Sequence, residues 1–132
     1  MEKSLVLIKP DAVEKKLIGE IIARFEKRGL DIVKLELLTL SSKKAREHYK
    51  EHEGKSFFEP LIEFITSGAL VAMVLEGERC ISIIRQMCGK TDAGLAEPGT
   101  IRGDYSIYNN RNIVHASDSI ESAQREIKVF FG

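Results

Sequence analysis

At 132 residues the chain has the length of one domain with a substantial core, and we expect a single domain over residues 1–132. Twenty Lys and Arg balance twenty Asp and Glu, so the net charge is zero, which excludes a chain-wide field for nucleic acid or an acidic membrane; any anion site must be a local cluster. The first apolar run, at residues 5–8, ends at Lys9-Pro10-Asp11, far short of a signal or membrane segment, and a soluble, cytoplasmic protein with no membrane or nucleic-acid partner is expected.

Leu5-Val6-Leu7-Ile8 is a short continuous apolar run closed by Lys9-Pro10, the pattern of a buried strand. Ile18, Ile21, Ile22 and Phe25 follow at helical spacing, with Gly29 as the stop. Residues 32–40 are rich in β-formers and predict a second strand, after which Ser41 or Ser42 can cap a polar surface helix. Ser56 and Glu59 have capping-box spacing ahead of a stripe at Phe58, Leu61, Ile62 and Ile65 that Ser67-Gly68 ends. Residues 70–75 predict a third strand, Ile81, Ile84, Met87 and Cys88 a helix, Ile113-Val114 a short fourth strand, and Ile120, Ala123, Ile127 and Phe130 a last helix.

This order predicts an α+β, ferredoxin-like fold: four antiparallel strands in a split βαβ arrangement with helices on one face. Residues 89–110 lack periodicity and are rich in Gly, Asp and Thr, and we read them as an ordered binding loop. Cys80 and Cys88 lie about two helical turns apart, too far for a bridge, and read as reduced core thiols.

Several apparent motifs fail. Gly89-Lys90-Thr91 resembles the end of a P-loop, but Ile84 stands where that motif needs Gly, and a helix precedes it instead of a strand. His48 and His52 have the i, i+4 spacing of a zinc pair, but Tyr49 replaces the metalloprotease Glu and no third ligand is evident, so a solvated helix end is the simpler reading. Arg102-Gly103-Asp104 spells an adhesion tripeptide that arises often by chance.

The run from Arg111 to Ser119, followed by Glu126, is the most informative part of the chain. It sets His115 at the end of a short strand just before a helix, where an imidazole is held rigidly yet can face a cleft. Lys9 follows a buried strand and precedes Pro10, which fixes the backbone that aims its ammonium. Arg85 sits close to the apolar stripe of its helix, Arg102 lies between Gly99 and Gly103 where a ligand can approach the backbone, and Phe57 offers a ring to a base. Such a set suits a nucleotide polyphosphate. A sheet that binds single-stranded nucleic acid would carry strand aromatics, and these strands have almost none; a phosphohistidine relay domain would place its His in mid-helix.

The segments Ile8-Lys9-Pro10-Asp11, Gly19-Glu20-Ile21-Ile22, Glu47-His48-Tyr49, Phe57-Phe58, Pro98-Gly99-Thr100-Ile101-Arg102-Gly103-Asp104 and Asn112-Ile113-Val114-His115-Ala116-Ser117-Asp118-Ser119 together resemble nucleoside diphosphate kinase across nearly the whole chain. The resemblance implies phosphoryl transfer in two half-reactions with broad base and sugar specificity. His115 would be the nucleophile, phosphorylated on the ring nitrogen nearer the backbone, with Glu126 orienting it and Ser117 hydrogen-bonded to that carboxylate. Arg85, Thr91 and Arg102 would bind phosphate, Lys9 and Asn112 the sugar, and Phe57 the base, with Tyr49 and His52 in support. It also implies Mg²⁺, held mainly by the nucleotide phosphates with Asp118 at most holding a coordinated water, and a homo-oligomer, tetramer or hexamer. Ala116 and Ala93 depart from the usual Gly and Pro, and the short C-terminus leans toward the tetramer.

Overall fold

In the structure, a computed structural model describing residues 1–132, the strands are β1 (Glu2–Ile8), β2 (Asp31–Thr39), β3 (Ala69–Gly77) and β4 (Val114–Ala116). The helices are α1 (Pro10–Glu14), α2 (Ile18–Lys27), α3 (Ser42–His48), α4 (Phe58–Ile65), α5 (Cys80–Cys88), α6 (Ile101–Tyr105) and α7 (Ile120–Phe131). The sheet runs β2-β3-β1-β4 with every pairing antiparallel, the split βαβ plan read from the sequence. Every residue of β1 from Leu5 to Ile8 is fully buried, as its unbroken apolar run requires of a strand flanked on both sides.

Strand alternation sends the core to both faces. Val6, Ile8, Val71 and Met73 join Ile21 and Phe25 of α2 and Ile84 of α5 in one cluster. Leu5, Leu7, Leu70 and Ala72 join Ala45 of α3, Ile62 of α4 and Phe130 of α7 in another. Helices therefore cover both faces, and the expectation of helices on one face is corrected: the later helices bring apolar stripes of their own, and the second side of β1 and β3 is equally apolar.

Local signals mostly held. Gly29, at φ 99°, ends the chain's first long helix, and of the two candidate serines it is Ser41 whose hydroxyl accepts the Lys44 N–H at the start of α3. The capping box before α4 does not form: the helix begins after Phe57, which makes no side-chain cap, and Glu59 instead holds the Arg46 guanidinium through two 2.8 Å hydrogen bonds. The fourth strand is displaced by one residue. Ile113 lies outside it with φ 76°, and His115 is its middle residue, not its end.

Residues 89–110 are ordered, but not as a loop alone. Asp92 caps a 3-10 turn (Ala93–Leu95), and the Thr100 hydroxyl accepts the Gly103 N–H while donating to Glu97 O, which starts α6. Gly103 is required there, because a Cβ would sit 1.9 Å from the Glu97 carbonyl oxygen. Arg102, expected in a loop, is thus carried by a helix. Cys80 and Cys88 mark the two ends of α5 as free, buried thiols, and burial pushes Cys88 up to about 11.

Candidate active site

A cavity of about 600 Å³ opens between α3, α4, the end of α5, α6 and β4, and its walls hold almost every residue singled out in the sequence. Lys9, Tyr49, His52, Phe57, Arg85, Thr91, Arg102, Asn112, His115 and Glu126 all line it. Ser117 does not; it stands behind Glu126.

At its centre His115 Nε2 is 2.8 Å from Glu126 Oε1, which also accepts a 2.7 Å hydrogen bond from Ser117 Oγ. Ser117 Oγ in turn accepts the Leu5 backbone N–H at 3.0 Å. The carboxylate, 4% exposed on α7, is thereby tied to the central strand, and its hold on Nε2 favours the tautomer in which that nitrogen carries the ring proton. Nδ1 keeps its lone pair and has no protein partner.

The cations are held by neutral dipoles. Lys9 Nζ donates to Asn112 Oδ1 at 2.7 Å, and Asn112 Nδ2 donates to Thr91 O at 2.8 Å, so one amide ties β1, β4 and the loop after α5 together. Burial, with the nearby Arg102 charge second, pulls the Lys9 ammonium down to about 8. Arg102 is buried and spends one N–H on each of the carbonyls of Asn112, Gly89 and Val114, leaving the rest of its donors toward the cavity. Arg85 donates to Ala116 O at 3.1 Å. Phe57 is 48% exposed, a ring face available to a planar ligand.

Three features escaped the sequence reading. His48, expected at a solvated helix end, is 1% exposed and packs edge-on against His115, with ring centroids 4.7 Å apart. Burial first, and then the facing His115, Arg125, Lys9 and His52, hold its pKa well below the usual histidine value. Its signal was the stripe Ala45, His48, Tyr49, an apolar helix face that includes the imidazole. Asn109 and Asn110 also line the cavity, with no pattern to mark them. Asp11 is the third: its Oδ2 accepts the Ile113 N–H at 3.0 Å, while the Lys9 N–H donates to Ile113 O at 2.9 Å, and these two bonds clamp a β-branched residue in the left-handed region.

Such a constellation, an imidazole with a free nitrogen facing three cations and an aromatic platform, can accept and return a phosphoryl group. Comparison with known proteins agrees. The family model for nucleoside diphosphate kinase matches residues 2–132. The chain is 58% identical to the nucleoside diphosphate kinase of Methanococcus maripaludis over 100% of this chain and 99% of that relative, and 59% identical to that of Staphylothermus marinus over 98% and 92%. Its fold superposes with a TM-score of 0.96 on the halophilic nucleoside diphosphate kinase of Halobacterium salinarum in complex with CDP, at 45% identity, covering 98% of this chain and 87% of that one.

The clamp on Ile113 can be tested directly. Asp11→Ala leaves a buried N–H without a partner next to a strained residue, and we expect a loss of about 1–3 kcal/mol in denaturant unfolding, with faster amide exchange at residues 112–115. Unchanged stability and exchange would show that Ile113 holds its conformation without the carboxylate.

Proposed function

The chain belongs to the nucleoside diphosphate kinase family and is a phosphotransferase that moves the γ-phosphoryl group between nucleoside tri- and diphosphates, and we propose that His115 is the residue that carries it. The observation behind this is the Glu126 hydrogen bond at Nε2, which leaves Nδ1 as the free nucleophile in the cavity.

In the first half-reaction the Nδ1 lone pair attacks the γ-phosphorus; the bond to the bridging oxygen breaks, and its electrons leave with the nucleoside diphosphate. Positive charge grows on the imidazole, and the Nε2 proton is already shared with Glu126, which holds it in place through both half-reactions. Glu126 is itself positioned by Ser117. Charge spreads over the phosphoryl oxygens, where Arg85, Arg102 and the Thr91 hydroxyl meet it, the two guanidinium groups already held by backbone carbonyls before substrate arrives. Lys9 and Asn112, joined to one another, are suited to the sugar, and Phe57 to the base. The second half-reaction is the reverse, with a different diphosphate accepting. Tyr49, its hydroxyl buried without a partner, and His52, part-exposed on the rim, support the polyphosphate end. A stacking platform reads any base by its π-face, which supports broad base specificity.

The family's kinases use a divalent metal, and here we assign Mg²⁺. The cavity fits an ion held mainly by nucleotide phosphates: exposed Asp118 can hold a coordinated water, and the other donors nearby are nitrogen-rich and unsuited to a hard cation. Its contribution is to neutralise phosphate charge. Cytoplasmic residence fits the nucleotide substrates and the two free thiols.

We also propose a homo-oligomer, tetramer or hexamer. Leu35 and Leu37 of the edge strand β2 are 53% and 63% exposed on one sheet face, and Leu95, Ile107 and Tyr108 form a second apolar group. An exposed apolar edge strand is a pairing surface, and closed assemblies beyond a dimer need a second contact.

Three outcomes are expected. MgATP alone should leave an acid-labile, base-stable phosphoryl group on the wild type that discharges to GDP as GTP, while His115→Gln stays blank; a labelled His115→Gln protein would move the nucleophile elsewhere. Lys9 loses its charge as pH rises through about 8, so kcat/KM should fall toward tenfold per unit above it, and a Lys9→Met profile should lack that limb. Leu35→Glu with Leu37→Glu should yield a smaller assembly by light scattering, and an unaltered mass would place the contact elsewhere.

A further inference from the structure

His48 belongs to a motif that the phosphotransfer reading leaves unused. Its ring is buried against His115, Tyr49 and Phe130, and neither of its nitrogens has a hydrogen-bond partner. A buried imidazole with both nitrogens unsatisfied calls for a missing partner. The couple that the sequence spacing suggests, His48 with His52, is not the one the fold builds: one nitrogen of His48, one of His115 and a carboxylate oxygen of Glu126 lie within 4.8 Å of one another, on the wall of the open cavity. Two imidazoles and a carboxylate are the protein donor set of a three-ligand zinc site. Mg²⁺ prefers oxygen ligands and keeps its waters, whereas Zn²⁺ takes nitrogen readily.

We propose that His48, His115 and Glu126 form a site for a zinc ion whose occupancy blocks phosphorylation. Bonds of about 2.0–2.2 Å place tetrahedral donors about 3.3 Å apart, so the 2.8 Å contact between His115 and Glu126 opens slightly while His48 closes in. Ser117 Oγ keeps its hydrogen bond to Glu126 Oε1, and the second lone pair of that oxygen, released by the His115 Nε2 proton, ligates the ion. Coordination at His115 Nε2 displaces the ring proton to Nδ1. The attacking lone pair is then occupied by a proton, with no proton lost and no change of oxidation state. Binding stands on this geometry alone; that it inhibits rests on His115 as the phosphoryl carrier.

The test titrates Zn²⁺ into wild type and His48→Phe in millimolar Mg²⁺ against a chromogenic chelator, and measures MgATP labelling at buffered free zinc. We expect one zinc per wild-type subunit, binding at least about 30-fold weaker in His48→Phe, and wild-type labelling reduced at least about tenfold while that of His48→Phe is insensitive to the same zinc. Co²⁺ on the wild type should give the intense visible band of a tetrahedral site, which decides the matter should His48→Phe fail to fold. Equal zinc affinity in the two proteins, absence of stoichiometric zinc or of the cobalt band in wild type, or labelling untouched at saturating zinc overturns the proposal. Wild type that fails to label without zinc would instead bring down the role given to His115, and the binding comparison would still judge the metal site.

Discussion

Val6, Leu7 and Ile8 of β1 pair with Ala116, His115 and Val114 of β4, and this short ladder decides where chemistry can occur. β1 is bonded on its other side to β3 along its whole length, so the short strand β4 is anchored to the interior of the sheet. His115 lies opposite Leu7 and shares its face, the one covered by α3, α4 and α7; Val114 and Ala116 point into the other core. A slip of one residue would bury the imidazole under α2 and α5, far from Glu126. The hydroxyl of Ser117, held by the Leu5 N–H, then reaches Glu126, so the same strand positions the imidazole and the group that orients it.

The second constraint is electrostatic. Lys9 and Arg102 are 6% and 3% exposed, and the groups that hold them are an amide and carbonyls, not carboxylates. Burying cations against neutral dipoles is unfavourable, and the two charges also oppose one another, as the lowered Lys9 value records. What resolves it is an anion. A polyphosphate entering this cavity meets donors already oriented, and its binding stabilises the fold by about 2.7 kcal/mol at a hundredfold excess over Kd. The buried, like-charged cations thus oppose the fold's own stability and favour an anionic ligand.

How much of this could be read from residues alone divides along a physical line. Strands β1 and β3 and the helices α2, α5 and α7 announce themselves by continuous or periodic apolar runs, because burial is what both the pattern and the fold record. The site residues were legible through the family resemblance; singly, Lys9 or Arg85 looked like any surface cation. Helix α6 was hidden, since five residues capped by Thr100 carry no periodicity. The role of Asp11 was hidden because a carboxylate bonded to a backbone N–H more than a hundred residues away leaves no trace in local sequence. His48 was misread because its spacing from His52 drew attention away from the apolar face it shares with Ala45 and Tyr49.

The strained Ile113 explains why the fourth strand cannot begin where its apolar residues do. In a regular strand, residues 112 and 115 point to opposite faces, for side chains alternate. Yet Asn112 has to reach Lys9 and Thr91, while His115 has to reach Glu126, and both line one cavity. A left-handed residue between them turns the backbone so that both can do so, at a cost on the order of 1–3 kcal/mol for a β-branched side chain. Glycine would accept the conformation more easily, but Ile113 is fully buried in the core beside Ile8 and Ile101, and its apolar contacts offset the strain. The segment Lys9-Pro10-Asp11 secures the result from the other side. It supplies the cation that Asn112 receives, the N–H that the Ile113 carbonyl accepts and the carboxylate that takes the Ile113 N–H, so the residues after β1 and those before β4 form one unit.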